Sequence, residues 1–369
     1  MSDAMRVVVA CGGTGGHIFP AVAVVEQLME LTNGQCVPLF LGSRDRMETR
    51  LIPSLGYDFE GMPIEGFKGL SLSTLTLPLK ILRSVLVARR AIRRHKPHAV
   101  ICTGAYISYP AGVAAALEGV PLVVLESNLN PGKSNSRLVD RAAAVVLAFE
   151  ESRTFYPAAV QPKLHVLGNP VRTQIDTSTT PHDARIWWGL DPNRETVLVF
   201  GGSLGARALN TVIENSLEVI GASSWQMIWQ TGKGHVVQKP VPENVRVVEF
   251  IDDMGAAYAA ADLVVSRSGA TTIAELGIVA LPAVLIPLPS ASTNEQKHNA
   301  QVVARHGAAI MVENDHMSSQ LLNTIAALMS DRDQRKRMSQ QMKELGKPNA
   351  AHDAAELIIR TSSWKGSAV

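Results

Sequence analysis

The sequence predicts an α/β protein of two doubly wound domains, each a parallel sheet with helices on both faces, facing one another across a cleft. Three observations predict it. Residues 7–29 read as a strand, a glycine loop and a helix. Residues 196–220 read as the same three elements half a chain later. The chain has 369 residues, a length that suits two domains.

Each element of the first copy has its own signal. Val7-Val8-Val9-Ala10 is a short apolar run of strand type. Cys11-Gly12-Gly13-Thr14-Gly15-Gly16 places four glycines in six residues. Ile18, Ala21, Val22, Val25, Leu28 and Met29 then recur at three- and four-residue spacing, one face of a helix. Glycines let backbone approach a ligand closely, and the first N–H groups of the helix point at a bound anion. His17 stands in the first helical turn. The second copy has the strand at 196–200, the loop Gly201-Gly202-Ser203-Leu204-Gly205-Ala206-Arg207, and the helical face Leu209, Val212, Ile213, Leu217 and Ile220. Either loop alone could be a tight strand-to-helix turn. Two together point to binding at the carboxyl ends of the strands.

The rest follows in order. Residues 37–41 read as a strand ending at Gly42, and residues 53–74 as loop with short elements. Residues 75–96 read as a helix with the stripe Leu75, Leu79, Leu82 and Leu86 among Lys80, Arg83, Arg89, Arg90, Arg93, Arg94 and Lys96. Such a basic amphipathic helix either lies on an anionic membrane surface or is half-buried with a solvated basic face. A strand at 99–102, a turn at 103–106 and a helix to Glu118 come next. The strand at 121–125 ends in Glu126-Ser127-Asn128, which reads as ligand groups or as a polar turn. Further strands lie at 143–148 and 164–167. Gly168-Asn169-Pro170-Val171-Arg172 breaks the pattern. The domains are therefore expected at 1–170 and 171–369, with a last helix able to pack back on the first domain.

In the second half, strands fall near 225–230, 245–250, 262–266 and 283–288. Residues 266–275 are a strand end, a glycine turn and a helix start. Thr272 and Glu275 have capping-box spacing. Glu275 thus either caps the helix or accepts ribose hydroxyls, as acids do in dinucleotide folds. Residues 293–299 are a polar helix start, Gly307 ends that helix, and the remainder to about 359 reads as helical.

Composition bounds the function. The chain is 46% hydrophobic and 18% charged, an ordinary profile for a protein with ample core. Cys11, Cys36 and Cys102 lie in or beside apolar runs without metal spacing, which suggests buried thiols in a reducing compartment. No signal-peptide pattern opens the chain, and no apolar run approaches the roughly 18 residues of a membrane span. The expectation is a cytoplasmic protein that is not integral to the membrane. Net charge is +2, with 17 Lys and Arg against 13 Asp and Glu in residues 1–170. That asymmetry is too mild for nucleic-acid binding. The first loop is not a dinucleotide fingerprint, because Ile18 stands where the third glycine belongs. Gly132-Lys133-Ser134 imitates a P-loop, but Ser127 stands where its leading glycine should be. No G-x-S-x-G is present.

Taken together, the ordered motifs resemble a family. These are Gly12-Gly13-Thr14-Gly15-Gly16-His17 with Pro20, Gly168-Asn169-Pro170-Val171-Arg172, and Gly201-Gly202-Ser203-x-Gly205-Ala206-Arg207. Phe250-Ile251-Asp252-Asp253-Met254, Ser266-Arg267-Ser268-Gly269-Ala270 with Glu275, and Gln296-x-x-Asn299-Ala300 complete the set. The chain is similar, over nearly its whole length, to the MurG glycosyltransferases of family 28. That resemblance implies the GT-B fold, with two Rossmann-like domains. It implies inverting transfer of N-acetylglucosamine from UDP-GlcNAc to the C4-OH of the N-acetylmuramyl-pentapeptide of lipid I, making lipid II for peptidoglycan. Another UDP-GlcNAc enzyme of this fold, such as a 2-epimerase, or a non-catalytic UDP-sugar module are the alternatives.

The resemblance also implies roles. Ile251 would meet uracil through its backbone, and Glu275 the ribose hydroxyls. Ser203, the second loop and Arg172 would hold the diphosphate. Ala270, Thr271, Thr272, Ile273 and Ala274 would line the donor, and Gln296 would read the sugar. Thr14, Gly15, Gly16, Asn128 and His17 would reach in from the first domain. Tyr106, Glu126 and Asn299 would serve the acceptor. His17 is the expected base, because histidine titrates near neutral pH, and Glu126 the next candidate. The fold implies no required metal or cofactor and leaves stimulation by a divalent cation open. The family's membrane patch on the first domain favours the helix at 75–96 as an anionic-membrane contact. The protein would then be peripheral, on the cytoplasmic face of the bacterial inner membrane. Where the family often has Gly-Gly-Tyr, this chain has Gly104-Ala105-Tyr106.

Overall fold

Alternating β-branched and aliphatic residues make strands that bury both faces, the pattern of parallel sheets covered by helices. In a computed structural model this happens twice. The structure describes residues 4–64, 77–172, 175, 178–202, 205–289 and 294–366. Leu75 and Ser203 lie outside the described residues. The chain forms two units, Met1–Arg172 with Lys347–Val369, and Thr173–Gly346.

The first unit runs β1 (Met5–Ala10), α1 (Gly15–Leu31), β2 (Cys36–Ser43), α2 (Glu48–Ser54), β3 (Asp58–Met62), α3 (Leu77–His95), β4 (Ala99–Cys102), α4 (Ala105–Leu117), β5 (Leu122–Glu126), α5 (Lys133–Ser136), β6 (Ala144–Leu147) and β7 (Leu164–Val166). Its seven strands are parallel, in the order β3-β2-β1-β4-β5-β6-β7. Register puts Val8 beside Leu39 on one side and Val100 on the other. Odd and even residues of β1 therefore enter different cores. Val8 and Ala10 meet Ala88 and Ile92 of α3 and Ile107 and Ala111 of α4. Val7 and Val9 meet Ile18, Val22 and Val25 of α1.

The second unit runs α6 (Pro181–Trp187), β8 (Thr196–Phe200), α7 (Arg207–Asn215), α8 (Leu217–Gly221), β9 (Gln226–Gln230), β10 (Val245–Val248), α9 (Met254–Ala260), β11 (Leu263–Ser266), α10 (Ala270–Val279), β12 (Ala283–Leu285), α11 (Glu295–Arg305), β13 (Ala309–Met311), α12 (Met317–Ser330) and α13 (Arg332–Leu345). Its six strands are parallel, in the order β10-β9-β8-β11-β12-β13. Each sheet thus reverses winding at its first strand, between β1 and β4 and between β8 and β11.

The chain then returns. α14 (Ala350–Thr361) packs on α1, and Ala354, Ala355, Leu357, Ile358 and Trp364 join the first unit's core. A Cβ at Gly168, where φ is +94°, would stand 2.5 Å from Cβ of Lys347, so the glycine clears the way for the returning segment.

Two strands depart from the sequence expectation. β3 lies in the stretch read as loop, and β13 in the stretch read as helical. Asp-Phe-Glu-Gly-Met has no apolar run, because β3 is an edge strand with only Met62 buried. β13 is an edge strand of three residues with only Ala309 buried.

Candidate active site

Both sheets carry loops and helix starts at their switch points, where ligands of this architecture bind. In the first unit, α1 begins after Thr14 and α4 after Gly104, neither with a side-chain cap. In the second, α7 begins after Ala206 and α10 after Gly269, again without side-chain caps. None of the four N-cap residues bonds its own helix through a side chain, which leaves those helix starts open to an anion.

His17 is held from β4. Its Nδ1 lies 2.9 Å from the Thr103 carbonyl oxygen, and the Thr103 hydroxyl donates back to the His17 carbonyl at 2.8 Å. A carbonyl oxygen only accepts, so Nδ1 carries the proton and Nε2 is the basic nitrogen. Gly104, at φ +107°, makes room, since a Cβ there would stand 2.9 Å from the ring. Ala105 follows at φ +57°, left-handed for a residue with a side chain. Tyr106 has its hydroxyl buried without a hydrogen-bond partner among the described residues.

Glu126 ends β5, almost fully buried. Its carboxylate accepts from Asn128 N at 3.0 Å, Gly132 N at 3.0 Å and Asn135 Nδ2 at 2.8 Å. Those donors close residues 128–135 into a loop around it, the polar turn that sequence left open. Gly132 N–H faces this carboxylate, which further removes the P-loop reading. Ser127 donates to Asn169 at 2.7 Å, tying the end of β5 to the Gly168-Asn169 segment. Arg172 spreads its guanidinium over the Phe19 ring of α1, 4.3 Å from the centroid.

In the second unit, Gly205 at φ +73° admits close backbone approach. A Cβ there would lie 2.2 Å from the Thr231 carbonyl oxygen. Asn210 of α7 locks the same region, donating to Thr231 O at 2.7 Å and accepting from Trp229 Nε1 at 3.2 Å. Glu275 does not cap α10. The helix starts at Ala270 with Gly269 as N-cap, so Thr272 is already inside it. Glu275 lies in the second turn and accepts from the Tyr258 hydroxyl at 2.8 Å. Tyr258 is buried, and burial beside that carboxylate pushes its phenol well above the usual range.

Ala270, Thr271, Thr272 and Ala274 are partly exposed on α10, whereas Ile273 is buried in the unit and offers a ligand only its backbone. Ile251 is likewise buried. Gln296 accepts from Leu288 N at 3.0 Å through its side chain, and its carbonyl accepts from Ser268 at 2.8 Å. Asn299 is fully buried, with its amide 3.4 Å from the Ser268 carbonyl. Arg267, which sequence quoted only as motif, bridges Ile286 O, Pro287 O and Asn314, and burial lowers its pKa.

α3 exposes Leu79, Leu82 and Leu86, at 50%, 56% and 43%. Val85, Ala88, Ala91 and Ile92 face the core instead. Arg89 and Arg93 pair with Glu118, and Arg94 with Glu60, so part of the basic face is neutralised within the unit. Among the described residues, no helix is long and apolar enough to cross a membrane.

Known proteins match this arrangement along the chain. The glycosyltransferase family 28 N-terminal domain matches residues 7–147, and the family 28 C-terminal domain matches residues 196–356. A Flavobacterium psychrophilum protein is 35% identical over 96% of this chain and 97% of its own length. A Shewanella woodyi protein is 38% identical over 98% of each. Both are named UDP-N-acetylglucosamine--N-acetylmuramyl-(pentapeptide) pyrophosphoryl-undecaprenol N-acetylglucosamine transferase. The crystal structure of Acinetobacter baumannii MurG superposes with a TM-score of 0.77 at 30% identity, covering 96% of this chain and 99% of that one. A Neisseria meningitidis UDP-GlcNAc 2-epimerase reaches a TM-score of 0.68 over 96% of this chain and 100% of its own, but at 15% identity, which is likeness of fold. With the GT-B architecture in place, both domains matched in order and identity of this depth over nearly the whole length, the chain belongs to glycosyltransferase family 28.

Proposed function

We propose that the protein moves N-acetylglucosamine from UDP-GlcNAc to the C4-OH of the N-acetylmuramyl residue of lipid I, giving lipid II and UDP. The observation that carries this reading is the near full-length identity to enzymes named for that transfer. In the reaction, the acceptor oxygen attacks the anomeric carbon opposite to UDP, and the bond to phosphate breaks. UDP leaves with the electron pair, and the configuration inverts from α to β. His17 Nε2 takes the hydroxyl proton, and its Nδ1–H bond to Thr103 supports that tautomer. Helix starts at Gly15-Gly16, Arg207 and Ala270, with Arg172, offset charge building on the diphosphate. Glu275 takes the ribose hydroxyls, Ile251 the base and Gln296 the sugar. Glu126 acts by holding Asn128 and the loop to Asn135 rather than as the base.

The exposed leucines of α3, with Arg83 and Arg90, would rest on anionic lipid at the cytoplasmic face of the plasma membrane, where the lipid acceptor is met. The test is UDP release with and without lipid I. Release that needs lipid I supports the reading. Release without it, or none with it, overturns it. His17→Ala should lower kcat by about 10²–10⁴-fold, the usual contribution of a positioned base, and keep UDP-GlcNAc affinity within a few-fold. Loss of donor binding with kcat retained would make His17 a binding group instead.

A further inference from the structure

Glu48 belongs to none of the motifs above, yet it is fully buried beneath the first glycine loop. Its carboxylate accepts from Ser43 N at 3.0 Å, Ser43 Oγ at 2.6 Å and Gly13 N at 3.2 Å. All three donors are neutral. Burying a carboxylate is costly even when it is hydrogen-bonded, and an apolar residue of similar size is often the more stable choice. Stability alone is thus a weak account of an acid at this place.

The surroundings are shaped to it. A Cβ at Gly12 would stand 2.3 Å from Glu48 Oε1, and a Cβ at Gly42 would stand 2.6 Å from its Cγ. The side chain passes between two glycines, one at the end of β1 and one near the end of β2. Gly13, at φ +86°, turns its N–H down onto the carboxylate. Thr14 then opens α1, which carries His17 in its first turn. The bond also removes the Gly13 N–H from those that could meet a phosphate, so the two glycine loops are not equivalent.

We propose that Glu48 is a positioning residue for transfer, whose carboxylate sets Gly13 and through it the start of α1 and His17. This rests on the reading of His17 as the base. A misplacement of about 1 Å costs on the order of 10²-fold in rate. Glu48→Gln keeps the shape but sets an amide N–H2 against one of three donors. It should lower kcat about 10-fold or more, with KM for UDP-GlcNAc within two-fold, because the uracil, ribose and sugar contacts proposed for the donor come from the other unit.

Ser43→Ala removes one donor and leaves the Gly13 bond. It should lower Tm and keep kcat near wild type. In a His17→Ala background, Glu48→Gln should cost little further rate, since both act at one point. A folded Glu48→Gln enzyme with wild-type kcat overturns the proposal, as does a full additional loss in the His17→Ala background. If Glu48→Gln does not fold, Glu48→Asp decides, because it keeps the charge and draws the carboxylate back from Gly13. Normal kcat in that variant overturns the proposal, and a fall like that expected for Glu48→Gln supports it. If His17→Ala itself leaves kcat unchanged, the reading of the base has failed, not the placement of the loop.

Discussion

At the residue scale, Glu275 shows how little of its surroundings a sequence displays. Its spacing from Thr272 suggested a cap or a ribose ligand. The capping reading depended on where α10 begins, and Gly269 at the N-cap rules it out. The partner, Tyr258, comes from a different helix and has no motif of its own. Hydrogen bonds to a charged group are worth about 1.5–3 kcal/mol. Tyr258→Phe should therefore weaken UDP-GlcNAc roughly ten-fold by calorimetric titration, and Glu275→Ala at least as much. Both should also lose their preference for UDP over 2′-deoxy-UDP. Normal binding by both variants would remove Glu275 from the ribose. Ala105 is the reverse case, since its departure from the family pattern was visible and its cost was not. At φ +57° an L-residue carries about 1–2 kcal/mol of strain, less for glycine. Glycine gives back about 0.5–1 kcal/mol in chain entropy. Ala105→Gly should therefore raise Tm by a degree or two, and a fall in Tm would show that the position is relaxed.

Elements were legible where period and length were both present. The strand–loop–helix units, the strands of both sheet centres and the helix α3 were plain. Edge strands β3 and β13 were not, because Asp58, Glu60 and Gly61 interrupt β3 and β13 buries only Ala309. α3 has two faces, and the structure separates them. Leu79→Glu with Leu82→Glu should leave the circular dichroism spectrum unchanged and reduce sedimentation with anionic vesicles. Salt should weaken the wild-type interaction too, because Lys and Arg near such a surface contribute about 1 kcal/mol each. Binding that ignores both changes would leave α3 as a solvated helix. The end of the same helix has a pH signature. Burial lowers the pKa of His95, and burial with Arg360 and Arg153 nearby lowers that of His165. Both histidines resist protonation when folded. Below the ordinary value of 6.5 the unfolded chain takes up protons that the native one does not, so stability falls with acid. Melting at pH 5.5 should come earlier than at pH 7.5, and His95→Gln with His165→Gln should narrow the gap.

At the scale of the molecule, one winding occurs twice. The repetition was visible because strand, glycine loop and helix recur in the same order half a chain apart. The return of α14 was expected only as a possibility, since an amphipathic helix near 350 does not say which sheet it covers. Removing residues 347–369 should strip Ala354, Ala355, Leu357, Ile358 and Trp364 from the first unit's core and lower the melting of that unit. UDP-GlcNAc binding by the second unit should persist, and calorimetry with and without the nucleotide would show both effects. The route of the chain also orders its manufacture. On the ribosome the first sheet emerges before the second unit, but the helix that closes its α1 face is translated only after that unit. The domain begun first is completed last, and the inserted domain can mature while its host still waits. During that interval the apolar side of α1 stands open to chaperones, or to a neighbouring nascent chain.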